Sequence, residues 1–223
     1  MISGDTFPRR LTKIDDLSRP DHSYLTSEDE CYFLGEYTAR KGFGFSSTNH
    51  LILNLKKKMD RRGRPEWRYK EQAIQTAAQA FRASLNDAVR RSFTFVPVPP
   101  SRAKTDPLYD DRLAQMLRGI WPGLPIDLRE LIVQPQSTEA IHDSADRPTP
   151  NQLVARYVLD DNLRNPTPQT IAVVDDVITT GSHFVAVRSM LREAFPTARI
   201  MGLFIARRVP EAVDFEDLDL PDA

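Results

Sequence analysis

Apolar positions along the chain fall into two periods, and each predicts its own kind of element. Between Glu66 and Arg90, Ile74, Ala77, Phe81, Leu85, Ala88 and Val89 recur at three- and four-residue steps, which predicts one long amphipathic helix. Tyr109, Leu113, Met116, Leu117 and Ile120 predict a second, ending near Gly119 and Pro122, and Phe184, Val187, Met190, Leu191, Ala194 and Phe195 a third. Ser27 and Glu30 stand at capping-box spacing before Tyr32, Phe33, Leu34 and Tyr37, predicting a helix from Ser27 to Arg40, broken by Lys41-Gly42-Phe43-Gly44. Ser47 or Thr48 then caps a short helix carrying Leu51, Ile52 and Leu55.

Short, dense apolar runs read as strands: Phe93–Val98, closed by Pro97, Pro99 and Pro100, then Ile126–Val133, Tyr157–Leu159, Ile171–Val174 and Ile200–Ala206. A short helix over 151–156 precedes the third of these. Residues 1–25 have no sustained periodicity, and the polar stretch from Gln134 to Pro150, holding His142, Asp143 and Arg147, reads as a long loop. Strands alternating with helices imply an α/β fold with a largely parallel sheet, and the last two strands bracket one helix as a right-handed crossover requires.

Composition narrows the classes. A chain of 223 residues suits one sizeable core with an extension, and a net charge of -1 gives no global pull toward nucleic acid or membrane. The single cysteine, Cys31, excludes an internal disulfide framework and a cysteine-rich zinc site. No apolar run reaches membrane-spanning length, and the N-terminus lacks a secretory signal's apolar core, so the expected location is cytoplasmic. The domain expectation is a helical, partly basic extension over 1–90, an α/β core over 91–210, and an acidic tail over 211–223.

The chemistry concentrates in Ile171-Ala-Val-Val-Asp-Asp-Val-Ile-Thr-Thr-Gly-Ser182. A strand buried on both faces ends in two carboxylates, Asp175 and Asp176, at the sheet edge where open α/β folds bind ligands. Thr179, Thr180, Gly181 and Ser182 then offer hydroxyls and backbone N–H groups at a helix N-terminus, a natural anion cradle. Carboxylates do not favour a phosphate, so a ligand meeting both halves presents hydroxyls to one and phosphate to the other, as a sugar phosphate does.

This stretch resembles the phosphoribosyl pyrophosphate (PRPP) motif of type I phosphoribosyltransferases: apolar residues, an acidic pair, two apolar residues, then Thr-Thr-Gly. The resemblance implies the type I phosphoribosyltransferase-like fold, a mostly parallel twisted sheet flanked by helices, here with a helical N-terminal extension. It also implies transfer of ribose 5-phosphate from PRPP to a nucleobase-like nitrogen acceptor, with release of pyrophosphate. Asp175 and Asp176 would hold the ribose hydroxyls, Val177, Ile178, Thr179, Thr180, Gly181 and Ser182 the 5-phosphate, and Ser101, Arg102 and Lys104, just beyond the Phe93–Val98 strand, the pyrophosphate. Arg102, Asp175 and Asp176 would be the acting residues, with Mg2+ brought in alongside PRPP. His183 departs from the family's usual Thr or Ser. The order of elements from Ser92 to Arg208 is similar to the competence-protein-F branch, although that branch's paired-cysteine zinc finger is replaced here by a basic prefix.

Two further features carry alternatives. Lys56, Lys57, Lys58, Arg61, Arg62, Arg64, Arg68 and Lys70, interleaved with Trp67 and Tyr69, suit single-stranded nucleic acid or simply a solvated turn, and Gly63-Pro65 favours the turn. The basic prefix, the acidic tail and His183 also fit a catalytically silent PRPP-binding regulator. Asp110, Asp111 and Arg112 read as helix-terminal charges, and no membrane partner is expected. A homodimer is the default oligomer.

Overall fold

The computed structural model describes residues 6–138 and 147–211, so His142, Asp143 and nearly all of the acidic tail lie outside the described residues. The chain is α/β, built on a mostly parallel sheet flanked by helices. The strand order across the main sheet is β1 (Thr12–Lys13), β2 (Cys31–Thr38), β8 (Arg199–Val209), β7 (Thr170–Ile178), β3 (Phe93–Pro97) and β4 (Asp127–Leu128). Within this sheet, among the described residues, only the β1–β2 pair is antiparallel. A small antiparallel pair, β5 (Ile132–Val133) with β6 (Val158–Leu159), stands apart.

β7 is central because both of its faces are apolar. Ala172 and Val174 pack on one side with α1 (Ser47–Leu55), α2 (Trp67–Ser84) and α4 (Arg112–Ile120). Ile171 and Val173 pack on the other with α5 (Pro150–Val154) and α6 (Ser182–Ala194), through residues such as Leu153, Phe184, Val187 and Leu191. The two-residue period of a strand thus sorts one short run into two cores.

The helix expected from Ser27 to Arg40 is corrected: Cys31–Thr38 is strand β2, paired in parallel with β8 from Cys31 opposite Gly202 to Thr38 opposite Val209. The local capping is done by a different pair, since the Thr26 backbone N–H and hydroxyl both donate to Asp29 Oδ2, at 2.9 and 3.0 Å, and close a turn. A run of Cys, Tyr, Phe and Thr with a mid-element glycine prefers the pleated conformation. Gly35 has a packing reason, because a Cβ there would lie 2.4 Å from Thr48 Oγ1 of α1. The N-terminal 90 residues are therefore not simply helical, and they place a strand beside β8.

The helix expected over 66–90 is two helices. α2 ends at Ser84, and Asn86 caps α3 (Asp87–Ser92) by accepting from the Val89 N–H at 3.0 Å. Leu85 and Val89 still pack on the same core, which is why the periodicity runs through the break. The strand expected over 126–133 divides into β4 and β5, which join different sheets. Between them Arg129 is held by Asp127 and by the carbonyls of Leu163 and Pro166, at 2.7, 3.0 and 2.7 Å.

Candidate functional site

A cleft of about 300 Å³ opens beyond the C-terminal ends of β3 and β7. Asp175, Asp176, Val177, Thr179, Ser182 and His183 form one wall of it, and Ser101, Arg102 and Lys104 from the turn after β3 also line it. Ile178, Thr180 and Gly181 do not. Ile178 is buried in the core, and the other two face the N-terminal arm.

The adjacent carboxylates point to opposite sides of the strand and have different surroundings. Asp176 is buried, its Oδ2 accepting from Arg112 Nε and Nη2 at 3.1 and 2.6 Å, and its Oδ1 lying 2.9 Å from Lys56 Nζ. Arg112 also donates to Asp110 Oδ2 at 2.8 Å, and that oxygen takes Lys70 Nζ at 2.7 Å. Lys70 is 1% exposed and spends its remaining donors on the carbonyls of Leu55 and Lys57, at 2.7 and 3.0 Å, closing the C-terminal end of α1. Lys56, Asp176, Arg112, Asp110 and Lys70 thus form one ion network joining α1, α2, α4 and β7.

Asp175 has no cation partner among the described residues; its Oδ1 accepts only the Asp176 N–H, at 2.7 Å. Burial, and then the Asp176 charge, push its pKa up. Burial alone would raise Asp176 as well, but the charges of Lys56 and Arg112 outweigh it and hold that carboxyl well below the usual range.

The anion-binding half is shaped by α6. Its N-cap, Gly181, has φ 86° and no side chain to cap with, so the first helical N–H groups are left for another acceptor. The arm fixes the preceding loop from behind. His22 Nδ1 donates to the Thr179 carbonyl, the Tyr24 N–H donates to the Thr180 carbonyl at 2.9 Å, and Leu25 lies against Gly181. These contacts fix the loop that leads into α6. His183 stands at the start of that helix, its Nδ1 2.7 Å from the Tyr157 hydroxyl, and burial lowers its pKa to about 4, so it is neutral at pH 7.

Gly181→Ala is expected to cost about 1–2 kcal/mol for left-handed backbone, and its Cβ would meet Leu25 Cδ2 at 3.1 Å. The thermal midpoint should fall by about 2–8 °C; an unchanged midpoint would show that the turn does not enforce this conformation.

The opposite wall supplies positive charge. Arg102 is tied only loosely, at 3.4 Å from Asp106, whereas Lys104 is paired with Glu130 at 2.8 Å. Arg147 and Arg156 also line the cleft, without an ion pair among the described residues, and Arg147 Nη1 is a buried donor with no partner there.

Sequence reasoning missed five of these residues, among them Arg156, which it places only at the end of a short helix. Arg112 reads as a helix-end charge, yet a cation at the first position of a helix opposes the dipole and so points to an acidic partner. Lys70 falls on the apolar stripe of α2, four residues before Ile74, which marks a lysine that must be buried and paired. Lys56 and His22 carry no comparable local signal, being placed by tertiary contacts alone. No family model matches the chain, and no curated protein matches it.

Proposed function

We propose that the cleft binds PRPP and that the protein is a phosphoribosyltransferase, passing ribose 5-phosphate to a nucleobase-like nitrogen acceptor. The observation that carries this reading is the pairing, on one wall, of a carboxylate free of cations, Asp175, with the uncapped N-terminus of α6. Asp175 accepts from the ribose hydroxyls, and the N–H groups around Ser182, with Thr179, take the 5-phosphate. Arg102, Arg147 and Arg156 meet the diphosphate across the cleft. As pyrophosphate leaves, positive charge develops on the ribose ring, and a fixed carboxylate beneath it favours that state.

Among the described residues no group of three or more His, Cys, Asp or Glu is placed to hold a metal ion. Asp175 offers hard oxygens, and a magnesium ion carried in by the diphosphate fits that donor set better than a dedicated cage would. When bound, Mg2+ would neutralise charge on the leaving group.

Asp176 departs from the simple motif reading, because Arg112 and Lys56 occupy both of its oxygens. Its part is to anchor the network that holds the wall. This occupancy favours a second reading, a PRPP-binding regulator without turnover. Calorimetric titration of PRPP with magnesium, followed by a pyrophosphate-release assay over a panel of bases, separates the two. Binding with release for some base establishes the enzyme, and binding without release for any base establishes the regulator. An absence of binding rejects both.

A further inference from the structure

We propose that a ridge remote in character from the cleft, built from the loop after β2 and the segment after α1, binds single-stranded nucleic acid. The two most exposed phenylalanines among the described residues, Phe43 at 49% and Phe45 at 54%, sit in that loop. They alternate with Gly42 and Gly44, where an added Cβ would meet nothing within 4 Å, so the loop backbone beside the half-exposed rings is open to solvent. Ser46 then caps α1 by accepting from the Asn49 N–H at 3.0 Å, which fixes where the loop ends.

A continuous line of contacts runs from this loop to the basic segment. The Phe43 ring meets His50 edge-on, with centroids 6.0 Å apart. The His50 carbonyl accepts from Asn54 Nδ2 at 2.9 Å, and Asn54 Oδ1 accepts from Lys57 Nζ at 3.2 Å. Lys57 Nζ in turn lies 5.2 Å from the centroid of Tyr69, which is 39% exposed. His50, Asn54 and Lys57 follow at steps of four and three, the spacing of one helix face.

Among the described residues, the charge on this ridge is largely uncompensated. Arg40, Lys58, Arg62 and Arg64 have no ion pair among the described residues, and Arg61 reaches Asp60 only at 3.8 Å. The acids beside it are Asp60, Glu66 and Glu211, the last of which pairs with Lys41. Exposed rings spaced among free cations match the two faces of a single strand, with bases to stack and phosphates to neutralise. An anionic lipid surface fits less well, because three of the four aliphatic residues of α1, Leu51, Ile52 and Leu55, are buried and Leu53 is only partly exposed, too little apolar surface for an interfacial helix. This inference does not rest on the PRPP reading. It revises the solvated-turn reading of the basic run, whose Lys56 and Lys70 belong to the ion network instead.

The test is fluorescence anisotropy of the full chain with labelled oligo-dT and oligo-U of about 16 nucleotides. Both should bind, with affinity falling as salt rises from about 50 to about 200 mM. Phe43→Ala with Phe45→Ala should weaken binding by about tenfold or more at an unchanged thermal midpoint. Arg62→Gln with Arg64→Gln should lower the salt slope by roughly 1.4. Asp175→Asn should leave oligonucleotide binding intact, so failure of the ridge and failure of the cleft are read separately. Any of these results would overturn the proposal: no binding at about 50 mM salt, a duplex bound as tightly as the single strand, or a double phenylalanine variant within twofold of wild type. Binding to anionic vesicles without binding to either oligonucleotide would assign the ridge to a membrane surface and overturn it too.

Discussion

Arg112→Ala is expected to destabilise the protein by about 3 kcal/mol at neutral pH, the low end of the cost of breaking a buried ion pair. The low end applies because each orphaned carboxylate keeps one lysine, Asp176 with Lys56 and Asp110 with Lys70. Without the guanidinium, Asp175 and Asp176 share a cleft wall with too little positive charge, and proton uptake relieves the pair. The loss should therefore shrink as pH is lowered toward about 4, the ordinary range of the carboxylate. Urea unfolding at both pH values measures it, and an equal loss at the two would show that packing of the arginine stem, not charge, is what was removed. Arg112→Lys should fall between, since one ammonium does not reproduce the bonds from Nε and both terminal nitrogens.

Asp175→Asn is expected to separate stability from ligand affinity. The raised pKa means that the folded protein holds this proton more tightly than the unfolded chain does. Ionising Asp175 therefore costs stability as pH rises from the unfolded value of 3.8 through the raised folded one. Asparagine removes that slope, so the variant should be as stable as wild type in acid and more stable near neutrality. Asp176 has the opposite sign: its lowered pKa contributes stability above the ordinary carboxylate range that is lost as pH falls. Affinity for PRPP with magnesium should meanwhile fall about 100-fold, the worth of two hydrogen bonds to a charged acceptor. Calorimetry within a few-fold of wild type would remove Asp175 from the binding site.

The contrast between these neighbours shows what was legible beforehand. Strand, acidic pair, glycine turn and helix were all readable, because β7 is apolar on both faces and Gly181 and α6 follow it immediately. That Asp175 and Asp176 have different partners was not readable, because it depends on which helix covers each face. The N-terminal third misled for a related reason. Cys31–Thr38 is amphipathic under either period, and only pairing with β8, some 170 residues later in the chain, selects the strand. Ser27 and Glu30 matched a cap by spacing, while the turn was made by Thr26 and Asp29, with Asp29 held from outside by Arg188 of α6.

The arm that reaches behind the Thr179–Gly181 loop bears on affinity without entering the cleft. His22 is fully buried, its Nδ1 bonded to the Thr179 carbonyl and its Nε2 without a partner among the described residues. For a ligand that needs the loop in its docked form, a substitution that undocks the arm in some molecules raises the apparent dissociation constant to the intrinsic one divided by the fraction still docked. A change near His22, far from any atom the ligand touches, thus acts as a population term on affinity, scaling it without altering a single contact in the cleft.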